Sequence, residues 1–193
     1  MTLKNLEMNK TTNKSPINFE TLLQKCEDAV LLIQDRFSDN SCLRVHQLYE
    51  ESSNKRHDQF LQKLQITCNA KMKLENKCNN ELKGLYIFGE MNSNKQIEPI
   101  YIGISRTIFR RLSQHSRGNN HNQASLAYLQ AKINSGHVKG RMHLDLAMLK
   151  REQELIKNYF LVVIPETEDY DLYFMEVYIA GRLQTKWNSF KTH

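Results

Sequence analysis

The chain has 193 residues and a formal net charge of +6, a length suited to one large domain or to one domain with an appendage. It has no run of about 18 apolar residues, so no membrane span is expected, and its polar first residues lack the apolar block of a secretory signal. The cysteines at 26, 42, 68 and 78 form no C-x-x-C pair, which argues against zinc and predicts reduced, packed thiols in a cytoplasmic protein.

The positive charge is unevenly spread. Residues 101–151 hold nine Lys or Arg against one acid, Asp145, and four of the seven histidines fall in the same window. Such a local excess suits a phosphate-facing surface, and equally a solvated basic face without a partner. Residues 1–80 hold twelve Lys or Arg and ten Asp or Glu, so charge does not nominate that part for DNA.

Residues 1–16 read as a frayed tail and 17–80 as a helical extension. From 19 to 37 the positions Leu22, Cys26, Ala29, Val30, Ile33 and Phe37 follow helical spacing, with Asn18 as N-cap. Further helical segments are expected at 43–49 and 57–79, the latter with the stripe Leu61, Leu64, Cys68 and Met72. All glycines lie between positions 84 and 181, which marks a boundary near residue 80.

From 81 to 193 the pattern is strand, strand, helix, helix, helix, strand, helix, a small α+β domain. Its expected sheet is short, three-stranded and mostly antiparallel, flanked by helices. GLYIFGE (84–90) alternates Leu85 and Ile87 against Tyr86 and Phe88, and PIYIGIS (99–105) sets Ile100, Ile102 and Ile104 against Tyr101 and Gly103. The turn-rich loop between them predicts a hairpin. Helices are expected at 107–117, 123–134 and 141–157, a buried strand at 158–166 and a last helix at 170–184.

If the hairpin register suits, Tyr86 shares a face with Tyr101 and Gly103. That face would be a polar platform which a phosphate could approach through the glycine. In the next helix Ile108 and Leu112 face the core, Arg110 points away, and Arg111 and His115 lie four apart on one face at the platform's rim. Arginine suits bidentate contact with phosphate, and a rim histidine would exchange a proton near neutral pH. In the last helix Glu176 falls within the stripe Leu172, Met175, Ile179 and Leu183, where a carboxylate is costly unless paired or bound to a cation such as Mg²⁺.

Gly84, Leu85 and Tyr86, the YIG at 101–103, Arg111, His115, Glu176 and Asn188 together resemble the signature of the GIY-YIG nucleases. Leu85 replaces the family's isoleucine conservatively. The eight residues from Gly103 to Arg111, the four to His115 and the twelve from Glu176 to Asn188 are family-like spacings. The likeness spans roughly residues 81–190, leaves 1–80 unaddressed, and is greatest to the small restriction-type members.

The resemblance implies a metal-dependent endonuclease that hydrolyses DNA phosphodiester bonds, here on duplex DNA. It implies one Mg²⁺ or Mn²⁺ per site on Glu176, and Arg111 stabilising charge on the phosphate. It further implies Tyr86 orienting or activating water, Tyr101 supporting nucleophile and phosphate, His115 assisting proton transfer, and Asn188 positioning the site. Gly103, Arg110, Arg117, His121 and Arg141 are the candidate DNA contacts, and a palindromic target would favour a homodimer. Two other readings stand beside it, a structure-selective repair or recombination nuclease and a non-catalytic nucleic-acid-binding module.

Overall fold

The structure is a computed structural model, and it describes residues 18–38, 42–50, 60–66, 81–136 and 146–188. Strands β1 (Gly84–Met91), β2 (Ile97–Ser105) and β3 (Phe160–Pro165) form one antiparallel sheet in the order β2–β1–β3. Helices α1 (Phe19–Ser38) and α2 (Phe60–Lys63) precede it. Helices α3 (Ile108–Arg117), α4 (Ser125–Asn134) and α5 (Leu146–Asn158) connect β2 to β3, and α6 (Asp169–Leu183) follows β3. The α+β architecture expected from the sequence is the one observed, with a fully antiparallel sheet.

Helix α1 starts where the sequence places it. The Asn18 side-chain oxygen accepts from the Thr21 amide at 3.2 Å, satisfying a first-turn donor that the helix itself leaves open. The expected stripe from Leu22 to Phe37 is buried. The next two expectations change. Residues 43–49 contain a single 3₁₀ turn, Val45–Leu48. The helix expected over 57–79 stops at Lys63, where Gln65 turns left-handed with φ 55°. Its amide donates to Gln62 O and that of Ile66 to Leu61 O, both at 2.9 Å, a Schellman closure of α2, while Leu61 and Leu64 of the expected stripe pack against the same core. Cys68, Cys78 and Met72 lie outside the described residues.

Both faces of the sheet are covered. Tyr86 and Phe88 of β1 point into a core built with Ile108 and Leu112 of α3, Leu126 of α4, and Leu149 and Ile156 of α5. Leu85 and Ile87 point the other way, into a core with Ile102, Val162, the α1 stripe, and Leu172, Met175 and Ile179 of α6. A fully buried side chain of this kind contributes about 1.5–3 kcal/mol by leaving water. One expected alternation fails. Phe88 pairs with Tyr101 but Gly89 pairs with Pro99, so Ile100 is the extra residue of a β-bulge. It therefore joins the core on the Tyr86 side, while Ile102 stays with the opposite core.

Helix α3 is capped from a distance. The Glu81 carboxylate accepts from the amides of Phe109 (3.0 Å) and Arg110 (3.1 Å), placing negative charge at the positive end of the helix dipole. The outer edge of β2 is closed by chain following α6. Trp187 N donates to Ile100 O at 2.9 Å. The Asn188 amide both accepts from Ile102 N and donates to Ile102 O, each at 2.8 Å. Among the described residues no helix is long and apolar enough to cross a membrane.

Candidate active site

The hairpin register brings the two tyrosines together. Tyr86 lies opposite Gly103 and Phe88 opposite Tyr101, so all four share the face that looks towards α3. The Tyr86 and Tyr101 ring centroids are 6.2 Å apart, and the Tyr101 ring stacks on Phe88 at 6.0 Å. Gly103 has a different role from the open platform expected of it. A Cβ built there would lie 2.9 Å from Tyr86 Cε1 and nearer still to Cζ and the hydroxyl. The absent side chain is thus the space in which the Tyr86 ring lies. Gly103 is buried beneath that ring, which removes it as a DNA contact.

Tyr86 is almost wholly buried, and its hydroxyl is 2.8 Å from His115 Nε2. Burial, reinforced by Tyr101 and opposed by Arg111, holds the Tyr86 phenol well above its ordinary pKa. Burial also raises that of Tyr101, with Arg111 opposing and Glu176 reinforcing the shift. Both side chains are neutral phenols near pH 7.

His115 corrects the sequence reading most sharply. It is 0% exposed, not on a rim, and is enclosed by the rings of Tyr86, Phe88 and Tyr101. Burial, with a smaller push from the Arg111 charge, lowers its pKa to about 3. The imidazole is therefore neutral and does not exchange protons through titration near neutrality. Its Nδ1 is buried and has no hydrogen-bond partner among the described residues.

Arg111 is half-buried one turn before His115 and projects beside the tyrosine pair, since its charge acts on both hydroxyls. Its guanidinium is held by the loop joining α3 to α4. Nη1 donates to the carbonyls of Asn122 and Gln123, both at 3.0 Å, and Nη2 donates to Ser125 Oγ at 2.7 Å. Every one of these acceptors is neutral. Elsewhere arginines meet carboxylates: Arg106 pairs with Asp169 at 2.8 Å and Arg182 with Glu27 at 3.3 Å. Among the described residues no carboxylate pairs with Arg111, so its charge faces the tyrosines uncompensated.

Glu176 lies at the edge of the α6 stripe and is half-buried. Burial raises its pKa, and among the described residues no cation or donor holds its carboxylate. Helix α6 is anchored by α1: Lys25 Nζ pairs with Asp171 at 2.7 Å and with Glu166, whose Oε1 accepts from the amides of Thr167 and Glu168. The N-terminal helix thus fixes the element that carries Glu176. Asn188 does not enter the cluster directly. It fixes the backbone of Ile102, between Tyr101 and Gly103, while Thr185 Oγ1 donates to its Oδ1 at 2.9 Å.

The remaining candidates lie further out. Arg110 is exposed. The Arg117 guanidinium sits 4.8 Å above the Tyr49 ring, and His121 meets Tyr128 edge-on at 6.1 Å. Arg141 lies outside the described residues. Sequence reasoning missed Ser125 and the 122–123 carbonyls, whose link to Arg111 needs a loop conformation that no local spacing encodes. It also missed Glu81, twenty-eight residues from the amide it caps.

The arrangement is an anion-ready cluster: a guanidinium without a counter-charge, two neutral hydroxyls backed by a neutral imidazole, and a carboxylate suited to a cation. In comparisons with known proteins, no family model, no curated protein and no solved structure matches the chain.

Proposed function

We propose that this protein is a metal-dependent endonuclease of the GIY-YIG type that hydrolyses DNA phosphodiester bonds, acting on duplex DNA in the manner of a restriction enzyme. The observation that carries this reading is the uncompensated Arg111 charge beside the hydroxyls of Tyr86 and Tyr101, with Glu176 acting on Tyr101. A phosphodiester supplies the negative charge that Arg111 lacks, and the tyrosines supply donors for its oxygens.

Each residue's work follows from its protonation state. Arg111, permanently charged, binds the scissile phosphate and stabilises the charge that builds on it. Neutral His115 holds the Tyr86 hydroxyl at 2.8 Å, and that hydroxyl orients the attacking water. Tyr101 donates to phosphate or water from the bulged strand, whose outer edge is fixed by Asn188 at Ile102. A half-buried carboxylate without a protein cation fits one Mg²⁺ or Mn²⁺ completed by phosphate and water oxygens. That ion, when bound, supplies Lewis-acid polarisation of the phosphate. In this reading the protein is cytoplasmic, and two copies cut the two strands of a palindromic site.

The test pairs cleavage with binding. The protein and its Arg111→Ala and Glu176→Ala variants are incubated with a long sequenced duplex, with and without Mg²⁺, and DNA retention is measured alongside. The expected result is Mg²⁺-dependent fragments from the parent alone, with DNA still bound by Glu176→Ala. Undiminished cleavage by either variant contradicts the assignment.

A further inference from the structure

We infer that Ser125, with the carbonyls of Asn122 and Gln123, is the positioning device that aims Arg111 at its anion, and that Ser125 is a positioning residue of the site. This rests on the nuclease reading for its consequence in catalysis, but its structural content is independent of that reading.

A guanidinium carries five N–H donors in one plane. Nη1 has two, and the carbonyls of Asn122 and Gln123 both receive from it at 3.0 Å. Nη2 has two, and Ser125 Oγ receives one at 2.7 Å, the shortest of the Arg111 contacts. The loop therefore holds the Nη1 end of the plane. The guanidinium also meets the Tyr86 hydroxyl, and the donors that the loop does not take are on offer to an anion that shares that hydroxyl.

The chemistry of the holders matters as much as their placement. A carboxylate would hold the guanidinium equally well but would cancel the charge an anion must meet. Two backbone carbonyls, the Ser125 hydroxyl and, at 3.4 Å, the Gln114 amide oxygen fix the orientation and leave the charge intact. The loop is itself held: Gly118 N donates to Gln114 O at 2.8 Å, and Gln153 of α5 donates to Gly118 O at 2.7 Å. Asn120 O accepts from Ala124 N at 2.9 Å. Arg111 is thus tied through the loop to α5, and its aim is set before any ligand arrives, which lowers the reorganisation needed on binding.

Two holders are side chains, the Gln114 amide oxygen at 3.4 Å from Nη1 and Ser125 Oγ at 2.7 Å from Nη2; Ser125, the nearer, can be removed without altering the backbone. The test uses the full-length protein labelled with ¹⁵N-arginine, the variants Ser125→Ala and Ser125→Thr, and a plasmid duplex with Mg²⁺ as probe. Restricted rotation should give resolved Nη signals for Arg111, assigned with Arg111→Lys. In Ser125→Ala these signals should merge and kcat should fall about tenfold, the scale of one hydrogen bond to a charged group, with KM and melting temperature held. Ser125→Thr, which keeps the hydroxyl, should restore both. Resolved Nη signals and an unchanged kcat in Ser125→Ala overturn the inference. If the parent protein does not cut DNA but its Nη signals still merge in Ser125→Ala, the positioning stands and the nuclease reading falls.

Discussion

The buried neutral His115 makes the fold acid-sensitive in a calculable way. Its folded pKa is about 3, against an ordinary value of 6.5. Between these limits the unfolded chain holds a proton that the folded chain does not, so stability rises with pH. The stabilisation is fully present above the unfolded value and is lost as pH falls towards the folded one. One proton corresponds to about 1.4 kcal/mol per pH unit, so acidification from pH 7 to pH 5 should remove on the order of 2 kcal/mol. His115→Gln removes the titrating group and keeps a polar atom within reach of the Tyr86 hydroxyl. Urea unfolding at pH 5, 6 and 7 should show a shallower pH slope for the variant, by about one proton's worth. Glu27, stabilised as a carboxylate chiefly by Tyr178, and Asp169, chiefly by Lys83, also favour folding at higher pH. Both are present in the two proteins and cancel in the difference. Equal slopes, or an NMR titration of the His115 ring centred between pH 6 and 7, would refute the reasoning.

Gly103→Ala forces a methyl into the Tyr86 ring and should destabilise the fold by about 1–3 kcal/mol, read from the urea midpoint. An unaffected midpoint would show that the ring can give way. Asn188→Ala frees both polar groups of Ile102 at the edge of β2. Hydrogen exchange at the Ile102 amide should accelerate, with about 1–3 kcal/mol lost in thermal melting; unchanged exchange would count against the clamp. The raised pKa of Glu176 means that its ionised form is lost at a higher pH than for an ordinary glutamate, whose value is 4.5. The Mg²⁺ concentration for half-maximal cleavage should therefore climb on acidification from above that value. Indifference to pH would remove Glu176 as the cation's ligand.

Local periodicity carried much of the fold. The alternation in β1, the α1 stripe and the Asn18 cap are readable because each depends on neighbours within one turn or one strand. The bulge at Ile100 was not readable, because strand register depends on the partner strand and on the chain at 187–188 that closes the edge. The early stop of α2 escaped notice because Gln65, rather than glycine, takes the left-handed conformation.

For the candidate site, spacing brought Tyr86, Tyr101, Arg111 and His115 to one place but did not reveal their states. Helical phase puts His115 on the Arg111 face. Only packing by Phe88 and the two tyrosines from the sheet makes it a buried, neutral base. Gly103 was visible as a missing side chain, and the occupant of the space was not. The loop that holds Arg111 depends on backbone carbonyls, which every residue has and no sequence pattern marks.

The most direct test of the nuclease reading is incubation of the purified protein with a long duplex of known sequence, with Mg²⁺ and with EDTA, resolved on a sequencing gel. The account predicts discrete fragments with Mg²⁺ and none with EDTA, abolished by Arg111→Ala. Salt-sensitive DNA binding without cleavage, on duplex and branched substrates alike, would contradict it and make the protein a nucleic-acid-binding module.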